Sequence, residues 1–263
     1  MRKWMALLLA AVLMLSFPSV PAEETDWAQV FFDGLSQLES LLPPKEKSAM
    51  TYDEAVTALR SLGFEIPDSE VEKAKAWVKE SRWPVSAGSF AQLLLMGIGT
   101  GTFDEKTFAR TSTSDQVYAF DAEIFDITWM YRDFLEGIGA IIPGFRYTDA
   151  KETIQENERP VIDSANAQEY WEKYVASLQE TGRPPSEGTT TVSFILNGHE
   201  YRKELDFYGD WFNEDAIGWI NEVLSAEGFD GQLYEFFDGG QGLILIYGSL
   251  ERAEAVQKIL ETD

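Results

Sequence analysis

Two acidic side chains, Asp121 and Glu123, have a spacing that suits carboxylate chemistry. They stand two residues apart in a segment that alternates like a β-strand, so both point to one face, about 6.6 Å apart along the backbone. A glycosidase uses two carboxyl groups as general acid and as base or nucleophile, although it normally draws them from different strands. The pair is a candidate site for glycan hydrolysis. A solvated sheet face is the simpler explanation in a chain with 45 acidic residues.

The same region offers the oxygen ligands that a calcium ion prefers. Asp126 follows Asp121 and Glu123 closely, so three carboxylates could hold Ca²⁺ together. The chain has no calcium loop of the Asp-x-Asp-x-Asp-Gly type that would strengthen this interpretation. Calcium is therefore the only cofactor that the sequence suggests.

A single histidine, His199, restricts the hydrolytic chemistry open to this chain. A Ser-His-Asp arrangement would have to use it, and metal sites with two histidines are excluded. His199 directly follows Asn197 and Gly198, a pair typical of a tight hairpin turn, so its side chain is expected to be exposed. We predict a structural role for it.

Two glycine-rich segments could be taken for anion-binding loops. Residues 97–101 lack the Lys-Ser/Thr of a P-loop and follow an apolar helix, so a flexible loop is predicted there. Residues 238–242 join two predicted strands. In that connector, Gly239 and Gly240 could present backbone N–H groups to an anion, although turn geometry alone also requires glycine.

Tryptophans are further candidates for contacts with sugars or protein partners. Trp83 lies in a connector beside Pro84 and is the one for which exposure is most expected. Trp171 lies on an apolar helical stripe and is predicted to belong to the core. Trp211 precedes a predicted helix, where it would pack the chain entry against a sheet.

The elements that position these residues fall into two regions. Residues 23–114 show the three- and four-residue apolar spacing of amphipathic helices, with a capping box at Thr51 and Glu54. In residues 115–263 the spacing of apolar residues changes. Residues 117–127 alternate like a strand, and residues 148–159 are predicted to form a loop or an edge strand.

The last quarter of the chain has the clearest order of elements. Residues 190–196 and 200–207 flank the Asn-Gly turn, 233–237 and 243–247 flank the glycine connector, and a helix follows each pair. Short connections make such pairs antiparallel. We therefore predict an α+β fold with a mainly antiparallel sheet, a C-terminal ββαββα order and helices on one sheet face.

The first 22 residues have the parts of a bacterial secretory signal peptide. Arg2 and Lys3 supply positive charge, residues 4–17 are apolar, and Val20 and Ala22 are the small residues that a signal peptidase reads at positions −3 and −1. The apolar run has about 14 residues, fewer than the roughly 20 needed to cross a bilayer. We expect cleavage near Ala22 and a secreted or extracytoplasmic location, with an uncleaved anchor helix as the alternative.

Composition restricts the partners of this protein. There are 45 acidic and 21 basic residues, a net charge of −24 that becomes −26 when Arg2 and Lys3 are removed with the signal. This excess repels nucleic-acid phosphates and anionic lipids. The absence of cysteine excludes disulfides and a cysteine-linked lipid anchor, and 44% hydrophobic residues supply a core without them.

Three functional hypotheses follow from these observations. The lack of a catalytic motif favours an exported, acidic, non-enzymatic binding or interaction module with a protein or glycan partner at the cell envelope or outside the cell. The alternative is a carboxylate-based glycan hydrolase that uses Asp121 and Glu123. A third possibility is an inhibitor or chaperone-like partner of a secreted enzyme, whose basic surface would meet this acidic one. None of them involves nucleic acid or a membrane span after signal cleavage.

Overall fold

The computed structural model describes residues 50–82, 84–104, 109–111, 114–123, 130–157, 167–181, 183–237 and 241–262. All of them belong to the unit Ser48–Asp263. The predicted signal peptide lies outside the described residues, and so do Trp83, Asp126, Gly239 and Gly240.

Helices and strands alternate irregularly along this part of the chain. The helices are α1 (Tyr52–Ser61), α2 (Asp68–Glu80), α3 (Ala87–Gly99), α4 (Met130–Ile141), α5 (Ala167–Thr181), α6 (Asp215–Ala226) and α7 (Leu250–Leu260). The strands are β1 (Thr102–Asp104), β2 (Ala109–Thr111), β3 (Val117–Asp121), β4 (Tyr147–Glu156), β5 (Gly188–Leu196), β6 (His199–Phe207), β7 (Gln232–Phe237) and β8 (Gly242–Gly248). In the described residues, no helix combines the length and the apolar character that a bilayer crossing requires.

Local sequence signals set several element boundaries. The capping box before α1 is formed: the Glu54 N–H donates to Thr51 Oγ1 at 3.2 Å, and the Thr51 N–H donates to Glu54 Oε2 at 2.8 Å. Asn197 and Gly198 have φ values of 51° and 85°, which are the positive values that a tight hairpin turn needs. The capping hydrogen bonds confirm the predicted start of α1, and the φ values confirm the predicted turn between β5 and β6.

The strands are antiparallel and form a two-stranded pair, β1-β2, and two three-stranded sheets, β3-β8-β7 and β4-β5-β6. The α+β class and the ββαββα order are confirmed. The two C-terminal hairpins do not share one layer, however. In the β7-β8 hairpin, β8 also pairs with β3. In the β5-β6 hairpin, β5 also pairs with β4, so the two hairpins lie in different sheets.

Helices cover both faces of the β3-β8-β7 sheet, rather than one. Helices α1, α2, α3 and α7 pack on the face that carries Ile244 and Ile246. Helices α4 and α6 pack on the face that carries Leu243 and Leu245, and they also contact the β4-β5-β6 sheet. Strand β8 is therefore apolar on both sides, which explains its continuous hydrophobic run. Helices α1, α2 and α3 thus share a core with the C-terminal strands.

The glycines at 97–101 belong largely to a helix. Gly97 and Gly99 lie in the last turn of α3, so the predicted flexible loop is wrong for them. A Cβ on Gly99 would lie 2.7 Å from Val117 Cγ1, closer than van der Waals contact allows. Glycine at this position lets α3 approach β3 closely; its role is packing rather than flexibility.

The prediction of a buried Trp171 is also wrong. Its side chain is 55% exposed, and its ring meets that of Tyr174 edge-on, with centroids 5.5 Å apart. None of the described side chains in α5 is buried. An apolar stripe predicts a helix, but it does not determine whether another element covers that stripe.

Candidate functional site

A groove runs along the outer edge of β7. Among the described residues, strand β7 pairs with β8 on one side only, and α6 and α7 pack on opposite faces of the sheet beside it. The groove has a volume of about 740 Å³ and is bounded mainly by residues 232–236 of β7, 215–222 of α6 and 250–257 of α7. We call it the β7 groove.

The alternation of β7 directs its side chains to the two helices. Leu233 is buried in the cluster on the α6 side, and Phe236 is buried in the cluster on the α7 side. Because side chains alternate along a strand, Glu235 lies on the same face as Leu233, next to the start of α6. The backbone of β7 is thus held between two helices while its outer edge faces the groove.

Side-chain amides contact the two ends of this edge. Leu233 donates its N–H to Asn221 Oδ1 at 2.7 Å, and its carbonyl accepts from Asn221 Nδ2 at 2.9 Å. The carbonyl of Phe237 accepts from Gln92 Nε2 at 3.2 Å. Strand alternation turns the N–H and C=O of Glu235 outward between these two contacts. The N–H and the C=O of Glu235 consequently face the groove.

Acidic side chains outnumber basic ones along the β7 groove. The acidic ones are Glu214, Asp215, Glu222, Glu235 and Glu254, and the basic ones are Arg183 and Lys203. Arg183 makes a two-fold contact with Asp215, because its two terminal nitrogens lie 2.9 and 3.0 Å from the oxygens of that carboxylate. This two-fold contact raises the pKa of the guanidinium, and the groove keeps five carboxylates against two basic groups.

Glu235 is affected by burial and by the charge of Glu214. Desolvation by the groove walls, followed by the charge of Glu214, raises the pKa of Glu235 to about 6, although Arg183 opposes the shift. Desolvation also raises the pKa of Glu214. Glu235 retains substantial solvent exposure, so its carboxylate remains accessible from outside. A cation bound between these two side chains would relieve their repulsion.

Apolar surface accompanies the charges in the groove. Trp219 contributes a side chain that is 7% exposed, and Leu250 at the start of α7 is 59% exposed. Gly218 leaves open space on the α6 wall, since a Cβ there would meet no atom within 4 Å. The site can therefore offer main-chain hydrogen bonds, carboxylates and apolar contacts to one bound molecule.

The structure places Asp121 and Glu123 away from the β7 groove. Asp121 is exposed at the end of β3, and its Oδ1 accepts the N–H of Glu123 at 3.0 Å. Glu123 accepts a hydrogen bond from Gln241 and pairs through its backbone with Trp211, which is 41% exposed. Both carboxylates thus lie beside the end of the glycine connector. A glycan hydrolase that uses this pair stays a prediction.

The structure does not test the remaining candidate residues from the sequence. Trp83, Asp126, Gly239 and Gly240 lie outside the described residues. Over the described part of the chain, no group of three or more acidic or histidine side chains is arranged to hold a metal ion. The calcium site that includes Asp126 stays a prediction.

His199 belongs to a small polar cluster around Glu227, at the end of α6. Its side chain is 71% exposed, as expected from its place after the turn, whereas that of Glu227 is only 6% exposed. His199 Nδ1 and Asn197 Nδ2 each lie 2.8 Å from a Glu227 oxygen, and Tyr201 donates its hydroxyl to the same carboxylate. The cluster connects the β5-β6 hairpin to α6.

Replacement of Glu227 by glutamine is expected to lower the urea midpoint at neutral pH. Hydrogen bonds from Tyr201, His199 and Asn197 lower the pKa of Glu227 from 4.5 to about 2. A carboxylate whose pKa is lower in the folded state stabilises the fold fully above about pH 4.5, and this contribution is lost as the pH falls towards 2. Urea unfolding at several pH values measures the effect.

The matched control for that substitution is Glu222→Gln, on an exposed position of the same helix. It should leave the urea midpoint unchanged, since it removes no carboxylate from the polar cluster. The difference between the Glu227→Gln variant and the unsubstituted protein should shrink at low pH. A difference of the same size at pH 7 and at the acid end would show that the charge of Glu227 contributes nothing.

No pattern in the sequence predicted the β7 groove. Its acidic residues are spread over α6, β7 and α7, so no local motif joins them. The available signals were weak: a glycine at 218 inside an otherwise regular helix, and Glu235 inside an apolar strand. Neither signal indicates a site until the sheet edge is known.

Comparison of this chain with protein-family models, with curated proteins and with solved structures finds no match. The function is therefore inferred from the geometry and charge of the site itself.

Proposed function

We propose that this protein is an exported, non-enzymatic binding protein that holds a cationic segment of another protein in the β7 groove. The observation that carries the proposal is an open strand edge inside an acidic groove with apolar walls. Edge strands that lie beside helices are a recurrent way of binding extended peptides. An exposed edge that served no function would invite unspecific association.

The charge of the groove selects the partner. Five carboxylates face two basic groups, and one of those, Arg183, is already paired with Asp215. A lysine or arginine of the partner can approach Glu235 and Glu214 and reduce their mutual repulsion. The net charge of −24 acts in the same direction at longer range, because it attracts cationic partners and repels acidic ones.

The contacts in the groove are those of recognition. Trp219 and Leu250 supply apolar surface, the edge of β7 supplies hydrogen bonds, and the carboxylates supply charge selectivity. Specific interfaces commonly join an apolar centre to a polar surrounding in this way. The proposal thus agrees with the binding-protein hypothesis drawn from the sequence and gives the partner a chemical class.

Two synthetic octapeptides test the proposal directly. One is an acetylated, amidated peptide of four Lys-Val repeats, and the other is its Glu-Val counterpart. Isothermal titration calorimetry with the full chain should detect binding of the Lys-Val peptide that weakens as salt is added, because salt screens exposed charges. The Glu-Val peptide should not bind. Equal binding of both peptides, or of neither, would overturn the proposal.

Gly218 provides a matched series for locating the peptide in the groove. A side chain at this position enters open space, so Gly218→Ala, Gly218→Glu and Gly218→Lys should all fold. Relative to the alanine variant, lysine should weaken binding of the Lys-Val peptide by about fivefold and glutamate should strengthen it, since one exposed charge pair contributes up to about 1 kcal/mol. Identical affinities in the Lys and Glu variants would place the peptide elsewhere.

A further inference from the structure

We infer that the bound segment adds to the β3-β8-β7 sheet as a fourth strand beside β7, with basic side chains towards α6 and apolar side chains towards α7. This inference rests on the proposed function and specifies how the groove recognises its ligand. Three features of the described residues carry it: the direction of the edge backbone, an amide already bound to that edge, and the different character of the two walls.

The edge backbone is positioned to pair with a strand. The outward peptide groups of β7 lie at Leu233, Glu235 and Phe237, which is the two-residue repeat that a neighbouring strand requires. At Glu235 these groups face the groove directly. A strand laid along the groove would therefore find a donor and an acceptor at the spacing of its own peptide units.

Asn221 shows that this edge binds an amide from the groove side. Its side chain accepts the N–H of Leu233 at 2.7 Å and donates to the carbonyl of the same residue at 2.9 Å. The carboxamide has the same donor and acceptor as a peptide group, so Asn221 substitutes for one residue of an added strand. An added strand can begin beyond Asn221 and pair first with Glu235.

The α6 and α7 walls of the groove favour different side chains on the added strand. Glu235 and Glu214 lie on the α6 side, where they favour a basic side chain. Leu250 is exposed on the α7 side, where it favours an apolar one. Because successive side chains of a strand point to opposite faces, the preferred ligand alternates basic and apolar residues. Another copy of this chain is a poor occupant, since its net charge of −24 would repel this groove.

Backbone methylation separates strand addition from simple charge attraction. In the Lys-Val octapeptide, the N–H groups of all lysines point to one side of the strand and those of all valines to the other. N-methylation of one set should lower the affinity at least about tenfold, because it removes hydrogen bonds to β7 and introduces a clash, whereas methylation of the other set should change it little. A block peptide, four lysines followed by four valines, should bind more weakly than the alternating peptide.

Hydrogen exchange at the Glu235 amide gives the second measurement. This amide should exchange more slowly when the Lys-Val peptide is bound, and the amides of α5 should show no change. If the peptide binds but both methylated forms bind equally and the Glu235 amide is not protected, strand addition is overturned and the proposed function stands. If no Lys-Val peptide binds, the proposed function itself fails. A stable dimer of the free protein that protects the same amide would assign the edge to a second copy and overturn the inference.

Discussion

Replacement of Gly137 by alanine is expected to lower the free energy of unfolding by about 3 kcal/mol, the upper part of the usual range for overpacking a core. Gly137 lies inside α4, and a Cβ there would be 2.2 Å from Cζ of Tyr118. The ring cannot easily move away. Tyr118 is 2% exposed, stacks on Phe120 with centroids 4.9 Å apart and donates its hydroxyl to the carbonyl of Asp133. Urea denaturation followed by circular dichroism measures the loss.

Gly139 supplies the control for that experiment in the same helix. A Cβ on Gly139 would have its nearest neighbour at 3.8 Å, an ordinary contact distance. Gly139→Ala should therefore stabilise the protein by up to about 1 kcal/mol, the difference in helix propensity between the two residues. If both substitutions shifted stability in the same direction by similar amounts, the close contact between α4 and Tyr118 would not exist in solution.

The second large effect is expected at Gly99, where alanine should cost about 2 kcal/mol of stability. The added Cβ would lie 2.7 Å from Val117 Cγ1, 2.9 Å from Ala119 Cβ and 3.0 Å from the Ala119 backbone nitrogen. Val117 and Ala119 are fully buried, so α3 would have to move away from β3. Thermal and urea unfolding of the variant measure the cost.

Gly97 is the matched position for Gly99 in the same turn of α3. It is exposed, and an added Cβ would meet only the carboxylate end of Glu70, at 3.2 Å, which can rotate away. Gly97→Ala should be neutral or slightly stabilising. A flexible loop at 97–101 would tolerate both substitutions alike, so a harmless Gly99→Ala would restore the interpretation that the structure overturns.

Much of the local structure could be predicted because its causes are local. The box formed by Thr51 and Glu54 involves residues three positions apart, and the turn at Asn197 and Gly198 depends on the backbone freedom of two adjacent residues. The order of strands and helices in the last quarter follows from apolar spacing. These features do not require knowledge of any distant contact.

The candidate site could not be predicted in the same way. Asp121 and Glu123 are near neighbours in sequence, yet their described side-chain contacts are a hydrogen bond from the Glu123 N–H to Asp121 and one from Gln241 to Glu123. The charge that raises the pKa of Glu235 most is that of Glu214, which precedes α6, whereas Glu235 lies in β7. Proximity of this kind depends on how α6 packs against β7, and no local pattern encodes it.

The sequence by itself determined the α+β class, the antiparallel hairpins, the strongly acidic charge and the absence of disulfides. Local propensity and composition are sufficient for these, because each depends on neighbouring residues or on a sum over the chain. Only the tertiary structure decided which sheet each hairpin joins, that residues 97–99 are a packed helix end, and that a groove lies along the outer edge of β7. Those outcomes depend on non-local pairing: β8 lies between β3 and β7, so the outer edge of β7 borders the groove.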